Sequence, residues 1–273
     1  MAISNFISTV WSENLYKALD KKYIGVAHCN REYEGDIKNQ GSSVKICGVG
    51  KITVSNYSKN TDMSNPQALS DTYEELAIDQ AKYFNFQIDD VDKAQSSPKF
   101  MDAAMAIAAD ALANAADKHV YNQYAFAGTI LNISEPNEEN IIETLITARQ
   151  KLYENNVSDS SDIVIEVSPP VASLILKAKI ALSTDNTDAL EAGCLGSFGG
   201  CKIFVSNNIA ISDNVHKCLM RTKRAIAFAE QLSEIVAYRP EKRFADAIKG
   251  LHLYGARPIY PKEMVLLNVT INE

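Results

Sequence analysis

The spacing of hydrophobic positions changes twice along the chain. The changes predict an extended first part, one long helix, and a mixed α/β second part. Residues 6 to 24 place Phe6, Ile7, Val10, Trp11, Leu15, Leu19, Tyr23 and Ile24 at helical spacing, an amphipathic helix in an N-terminal arm that either folds back on its own domain or reaches another copy. From residue 42 the period becomes two. Val44 and Ile46, then Ile52 and Val54, alternate with polar residues, and Gly48 and Gly50 mark a bend between them. Residues 58 to 71 are almost wholly polar. Alternation then returns through Leu76, Ile78, Phe84, Phe86 and Ile88. Two strands around a polar tip predict a projecting hairpin. Its edges need covering, by its own chain or by another copy.

Residues 97 to 128 predict one long helix. Ser97 suits the cap, Pro98 the first helical position, and alanine dominates the middle. Gly128 is placed to stop it. Met101, Met105, Ala108, Leu112, Ala115, His119 and Ala127 are expected on one face, with Asp102, Asp110, Asn114 and Asp117 on another. About 30 residues at roughly 1.5 Å each give a rod of some 45 Å. So much alanine implies close approach by neighbours rather than a thick core. Taken alone, the stretch fits a buried helix of any large domain equally well.

A short strand at Thr129 to Ile133 comes next. Then follow a helix from Glu138 to Asn155, a buried strand at 163 to 167, and a proline-started helix from Val171 to Lys179. Further strands are predicted at 202 to 206, 234 to 240, 250 to 258 and 265 to 271. The helix from Glu138 presents Ile141, Ile142, Leu145, Ala148, Leu152 and Tyr153 as its apolar face.

Composition narrows the function. With 273 residues and 46% hydrophobic content, the chain can bury one large core or two intermediate ones. A net charge of −7 with no basic run argues against tight gripping of nucleic acid or an anionic membrane. No apolar stretch reaches membrane-spanning length, and the N-terminus lacks the pattern of a secretory signal. The five cysteines (29, 47, 194, 201 and 218) are odd in number and form no C-x-x-C pair, so buried free thiols are expected.

Motifs for chemistry are weak. The stretch Glu191-Ala192-Gly193-Cys194-Leu195-Gly196-Ser197-Phe198-Gly199-Gly200 precedes a strand, whereas phosphate loops open a helix. A packed glycine turn is expected there. Asp89, Asp90 and Asp92 lack the glycine and distal glutamate of a calcium loop. His28 and Cys29 are adjacent and so point apart on an extended chain. His119 and His252 are expected in or beside the core. No catalytic, cofactor-binding or metal-binding residue is expected, and no cofactor.

The order of parts resembles the major capsid proteins of tailed bacteriophages, with the Hong Kong phage-type capsid fold. Trp11-Ser12-Glu13 with Asn30-Arg31-Glu32-Tyr33-Glu34-Gly35 is similar to the N-arm and its exit. Ile52-Thr53-Val54 through Ile78 to Asp90 is similar to the extended loop, and 98 to 127 to the spine helix. Gly193 to Ile209 is similar to the glycine turn and strand of the axial domain. Arg224-Ala225-Ile226-Ala227-Phe228-Ala229 and Tyr254-Gly255-Ala256-Arg257 complete the pattern. The resemblance implies an α+β fold with an N-terminal arm at 1–40 and an extended β-hairpin loop at 41–95. A peripheral domain at 96–162 carries the spine helix 98–127. An axial domain occupies 163–240, and 241–273 return to the peripheral domain.

The function so implied is structural: a coat protein that self-assembles into the hexamers and pentamers of an icosahedral head around double-stranded DNA. The arm and loop would lie over neighbouring subunits. The implied partners are other copies, a portal, and packaged DNA held without sequence-specific contact, with assembly in the host cytoplasm and no membrane. The chain begins directly at the arm, with no long coiled coil predicted before it. A separate scaffolding protein is therefore expected, the alternative being a removed leader. Two rival readings stay open: an encapsulin-like nanocompartment shell, and a cytosolic α/β enzyme using the Gly193–Gly200 loop.

Overall fold

Alanine sets how closely the central rod can be approached. Helix α1 spans Phe100–Tyr121. Its Ala109, Ala113 and Ala116 are buried in one cluster with Leu15, Leu19, Val26, Phe228 and Tyr254. The computed structural model describes residues 15, 19, 22–33, 43–49, 54, 56–57, 59–60, 62, 65, 71–89, 100–157, 159, 162–178, 194–232, 235–242 and 244–271. The helical start expected at Ser97 and Pro98 therefore lies outside the described residues, as do most of the arm and the aspartates at 90 and 92.

The rod differs from its expected form in two ways. Its 22 described α-helical residues account for roughly 33 Å of the expected 45. At Asn122 it tightens into a 3-10 turn, Asn122–Phe126, so Gly128 is not its stop. Gly128 instead allows a close approach. Its N–H donates to the Pro261 carbonyl at 2.8 Å, and a Cβ there would lie 2.6 Å from that same oxygen. The buried face is also rotated. It runs through Ala109, Leu112, Ala113, Ala116, Asp117 and Val120, while Ala115 and His119 sit at its margin. Alanines on every side carry little directional signal, and Asp117 is drawn inward by backbone donors.

The hairpin is shorter than expected and returns earlier. Strand β1 (Ser43–Val49) pairs antiparallel with β2 (Asp71–Ala77) in unbroken register from Ser43↔Ala77 to Val49↔Asp71. Gly48 lies within that register and makes no bulge. Val44 and Ile46 point inward as the alternation predicts, but Val54 is 93% exposed and outside any strand. The expected return strand, 76 to 88, is divided. After Ala77 the chain turns at Ile78 and Asp79, and β3 (Gln80–Asp89) joins a different partner. Alternation alone cannot tell which strand a neighbour is.

That partner is β12 (Ala245–Pro258), flanked by β3 on one side and by β10 (Ile226–Leu232) and β11 (Val236–Tyr238) on the other. The second sheet has seven strands. They are β4 (Thr129–Ile133), β5 (Ile163–Val167), β6 (Cys194–Phe198), β7 (Cys201–Val205), β8 (Ile211–Ser212), β9 (Val215–Thr222) and β13 (Met264–Thr270). Its order is β4-β13-β9-β5-β7-β6, with β8 against β9 and with β4/β13 and β5/β7 parallel.

Two helices pack on this sheet. Helix α2 (Glu138–Glu154) is capped by Asn137, whose side chain accepts from the N–H groups of Glu139 and Asn140. It buries Ile141, Leu145, Ala148 and Leu152, while Tyr153 stays exposed. Helix α3 (Pro169–Lys177) opens on two prolines and carries the parallel crossover from β5 to β7. Gly199 and Gly200, at φ 56° and 88°, make the two-residue turn between β6 and β7.

Replacing Gly128 by alanine forces a Cβ onto the Pro261 carbonyl. It is expected to lower unfolding free energy by roughly 1–3 kcal/mol, as overpacking does, read as a lower urea midpoint with an unchanged slope.

Candidate functional site

The polar groups concentrate on one short segment. Residues Tyr23 to Arg31 cross between α1 and both sheets, and three buried carboxylates grip them. Asp117 on α1 accepts from the N–H groups of Ile24 (3.0 Å) and Val26 (2.9 Å). Glu166 on β5 holds Arg221 on β9 in a two-point pair at 2.8 and 3.0 Å. The same guanidinium donates to the carbonyls of His28 (2.5 Å) and Gly25 (2.9 Å). Glu230 on β10 accepts from the Tyr23 hydroxyl at 2.5 Å and from Arg31 at 2.6 Å, and meets His252 Nε2 at 2.7 Å. The chain then docks beside β10, where the Asn30 N–H donates to the Ile226 carbonyl at 2.9 Å.

Burial and partners set the charge states. Burial would raise the Glu166 carboxyl, but Arg221 and then His28 hold it below the usual range. Burial acts likewise on Glu230, and His252, Tyr23 and Arg31 overcome it. Asp117 has backbone donors but no cation, so burial dominates and lifts it to about 6. Burial pushes the Cys29 thiol up to about 12 and that of Cys218 to about 11, so both are unreactive thiols.

In this cluster the three carboxylates, Arg221 and the Tyr23 hydroxyl are paired with one another and with backbone. His28 and Cys29 serve the clamp, and Cys29 Sγ donates to the Gly25 carbonyl. His252 is fully buried, and His119 is half-buried, 3.9 Å from Asp79. Among the described residues no group of histidines, cysteines and carboxylates could hold a metal, and no helix is long and apolar enough to cross a membrane. Gly199 and Gly200 turn one strand into another and open no helix, unlike a helix-opening phosphate loop, and Gly193 lies outside the described residues.

The surface carries what the interior does not. Ile107 on α1, Phe126 after it, Ile130 on β4, Ile146 on α2 and Phe244 before β12 are all exposed. In the described part of the arm, Leu15, Leu19, Tyr23 and Val26 are buried in their own chain's core, as the folding-back reading has it. Sequence reasoning missed the clamp. Its one legible signal was a glutamate inside the run Ile163-Val164-Ile165-Glu166-Val167, which must find a cation when the strand is buried.

Arg221→Met leaves Glu166 buried without its cation and is expected to cost roughly 3–5 kcal/mol in urea unfolding. The folded chain holds the Asp117 proton more tightly than the unfolded chain. That contribution is least favourable above pH 6 and improves as pH falls toward 4. Glu166 and Glu230 act oppositely, their stabilisation being lost as pH falls through their lowered folded values. The Asp117 contribution to the urea midpoint is therefore expected to rise from pH 7.5 to about 5, against the opposing effect of half-buried His119 and buried His216, and the midpoint to fall below about 4. Asp117→Asn should flatten the rise and leave the acid fall.

No protein-family model and no curated protein matches this sequence. Solved structures do. A structure from Mycobacterium phage Che8 superimposes with a TM-score of 0.71 and 28% identity, covering 90% of both chains. The capsid structure of cyanophage P-SCSP1u gives 0.69 at 15% identity, covering 90% of this chain and 87% of that one. A virus-like particle from Pyrococcus furiosus gives 0.54 at 13% identity over 93% and 95%. Over about nine-tenths of its length, the chain has the Hong Kong phage-type fold of tailed-bacteriophage capsid proteins.

Proposed function

We propose that the chain is the major capsid protein of a tailed bacteriophage and builds the icosahedral head from hexamers and pentamers of itself. The observation that carries this reading is the Che8 match, at 28% identity over 90% of both chains. Two features of the molecule support it. Large apolar side chains lie exposed on several elements, which suits surfaces covered in an assembly. The polar interior is spent on internal ties, which suits a wall more than a catalyst. The role is structural, with no enzymatic step.

In this reading 1–40 is the arm, 41–95 the extended loop, 96–162 with 241–273 the peripheral domain, and 163–240 the axial domain. The arm's reach over a neighbour concerns residues ahead of Leu15, outside the described ones. A separate scaffolding protein and a portal are the further partners, and assembly takes place in the host cytoplasm. The net charge of −7 suits a shell that contains DNA without gripping its phosphates. The nanocompartment reading is not favoured over the capsid one, since structures from phages superimpose at 0.64 to 0.71.

The purified chain, with and without a candidate scaffold, is expected to form closed shells, tubes or capsomer rings. Light scattering and negative-stain electron microscopy read this directly. A stable monomer under every condition, including high concentration, would overturn the proposal.

A further inference from the structure

We infer that the free edge of β4 is a contact surface on which an extended segment of a second copy of this chain adds as a strand. This rests on the capsid reading above and specifies one of its contacts. β4 pairs with β13 on one side, and none of the described residues pairs on the other. Alternate N–H and C=O groups of its five residues therefore face outward. Proteins blunt such edges with charges, prolines or bulges. Three other edges of five residues or more show these devices. β3 carries Lys82 and Asp89, the β1–β2 ribbon carries Lys45, Glu74 and Glu75, and β6 is bulged between Cys194 and Gly196. β4, Thr129-Ile130-Leu131-Asn132-Ile133, has none of these, and Ile130 is 54% exposed.

The side chains favour continuation of the sheet. Lys217, Asn268 and Asn132 form an in-register row across β9, β13 and β4. Lys217 Nζ donates to Asn268 Oδ1 at 3.1 Å, and Asn268 Nδ2 to Asn132 Oδ1 at 2.7 Å. The row thus ends with the Asn132 amide offering its N–H groups outward. Beside the edge runs a groove between β4 and α2, lined by Leu131, Ile133, Thr144 and Thr147 with Glu135 and Glu143.

In the rings of the capsid reading each contact is heterologous and repeats, so the added strand comes from a different part of the second copy. A single added strand also falls short of the roughly 1,200 Å² that a free-standing specific interface buries. It gains strength when repeated in a closed assembly, where each contact raises the effective concentration for the next.

Hydrogen exchange compares assembled particles with dissociated subunits, and Ile130→Lys blocks the edge with a charge. Amides of residues 129–133 are expected to slow at least tenfold on assembly. The variant should keep its circular dichroism and require at least tenfold more protein to assemble. Wild-type particles in which 129–133 exchange unchanged overturn the inference and leave the capsid reading standing, as does a variant that assembles at the wild-type concentration. If Ile130→Lys fails to fold, the exchange result decides alone. Protection that scaffold confers on unassembled subunits overturns a second copy as the occupant. A wild-type chain that never assembles overturns both proposals.

Discussion

The pair between Arg221 and Glu166 is the constraint on which the rest depends. Both side chains are fully buried, and neither could be there alone without a penalty of several kcal/mol. The guanidinium spends its remaining donors on the carbonyls of Gly25 and His28, so the pair captures a segment from the far end of the chain. Asp117 and Glu230 grip the same segment from the helix and from the other sheet. Three elements distant in sequence are thereby fixed around one strip of backbone. Because charge-assisted hydrogen bonds are directional, they set the register of that strip more narrowly than apolar contact does.

The thin central rod follows from the same economy. Alanines let α1 lie close to the N-terminal segment and the four-stranded sheet. A wall needs to be stiff and thin more than it needs a deep cavity. The described clefts lie at the rim, beside α2, and are partly polar. Large apolar groups are correspondingly left on the outside, where a neighbour can cover them. The fold shared with phage capsid proteins is consistent with that division of labour.

Much of the local structure was legible. The helix starting at Glu138, the prolines opening α3, the inward alternation of Val44 and Ile46 and the glycine turn at 199–200 follow from short-range chemistry that each residue type carries with it. The failures share one cause. Strand β3 has the alternation of a hairpin arm but pairs with β12, because period two fixes which face is buried and says nothing about the partner. The face of α1 was misjudged because alanine is nearly neutral between inside and outside. Asp117 read as a surface charge because the N–H groups that draw it inward come from a segment some ninety residues earlier.

Sequence by itself determined the type and order of most elements, the acidic balance, and the absence of any motif spaced for catalysis. The order of parts was enough to suggest a capsid fold. Tertiary structure alone decided that Tyr23 to Arg31 is a clamped strip, that Gly128 serves a close approach to Pro261, and that no described residue pairs with the outer edge of β4. The physical reason is the range of the forces involved. Propensity, capping and periodicity act within a few residues, while ion pairing, strand partnership and close packing are settled by which distant segments meet.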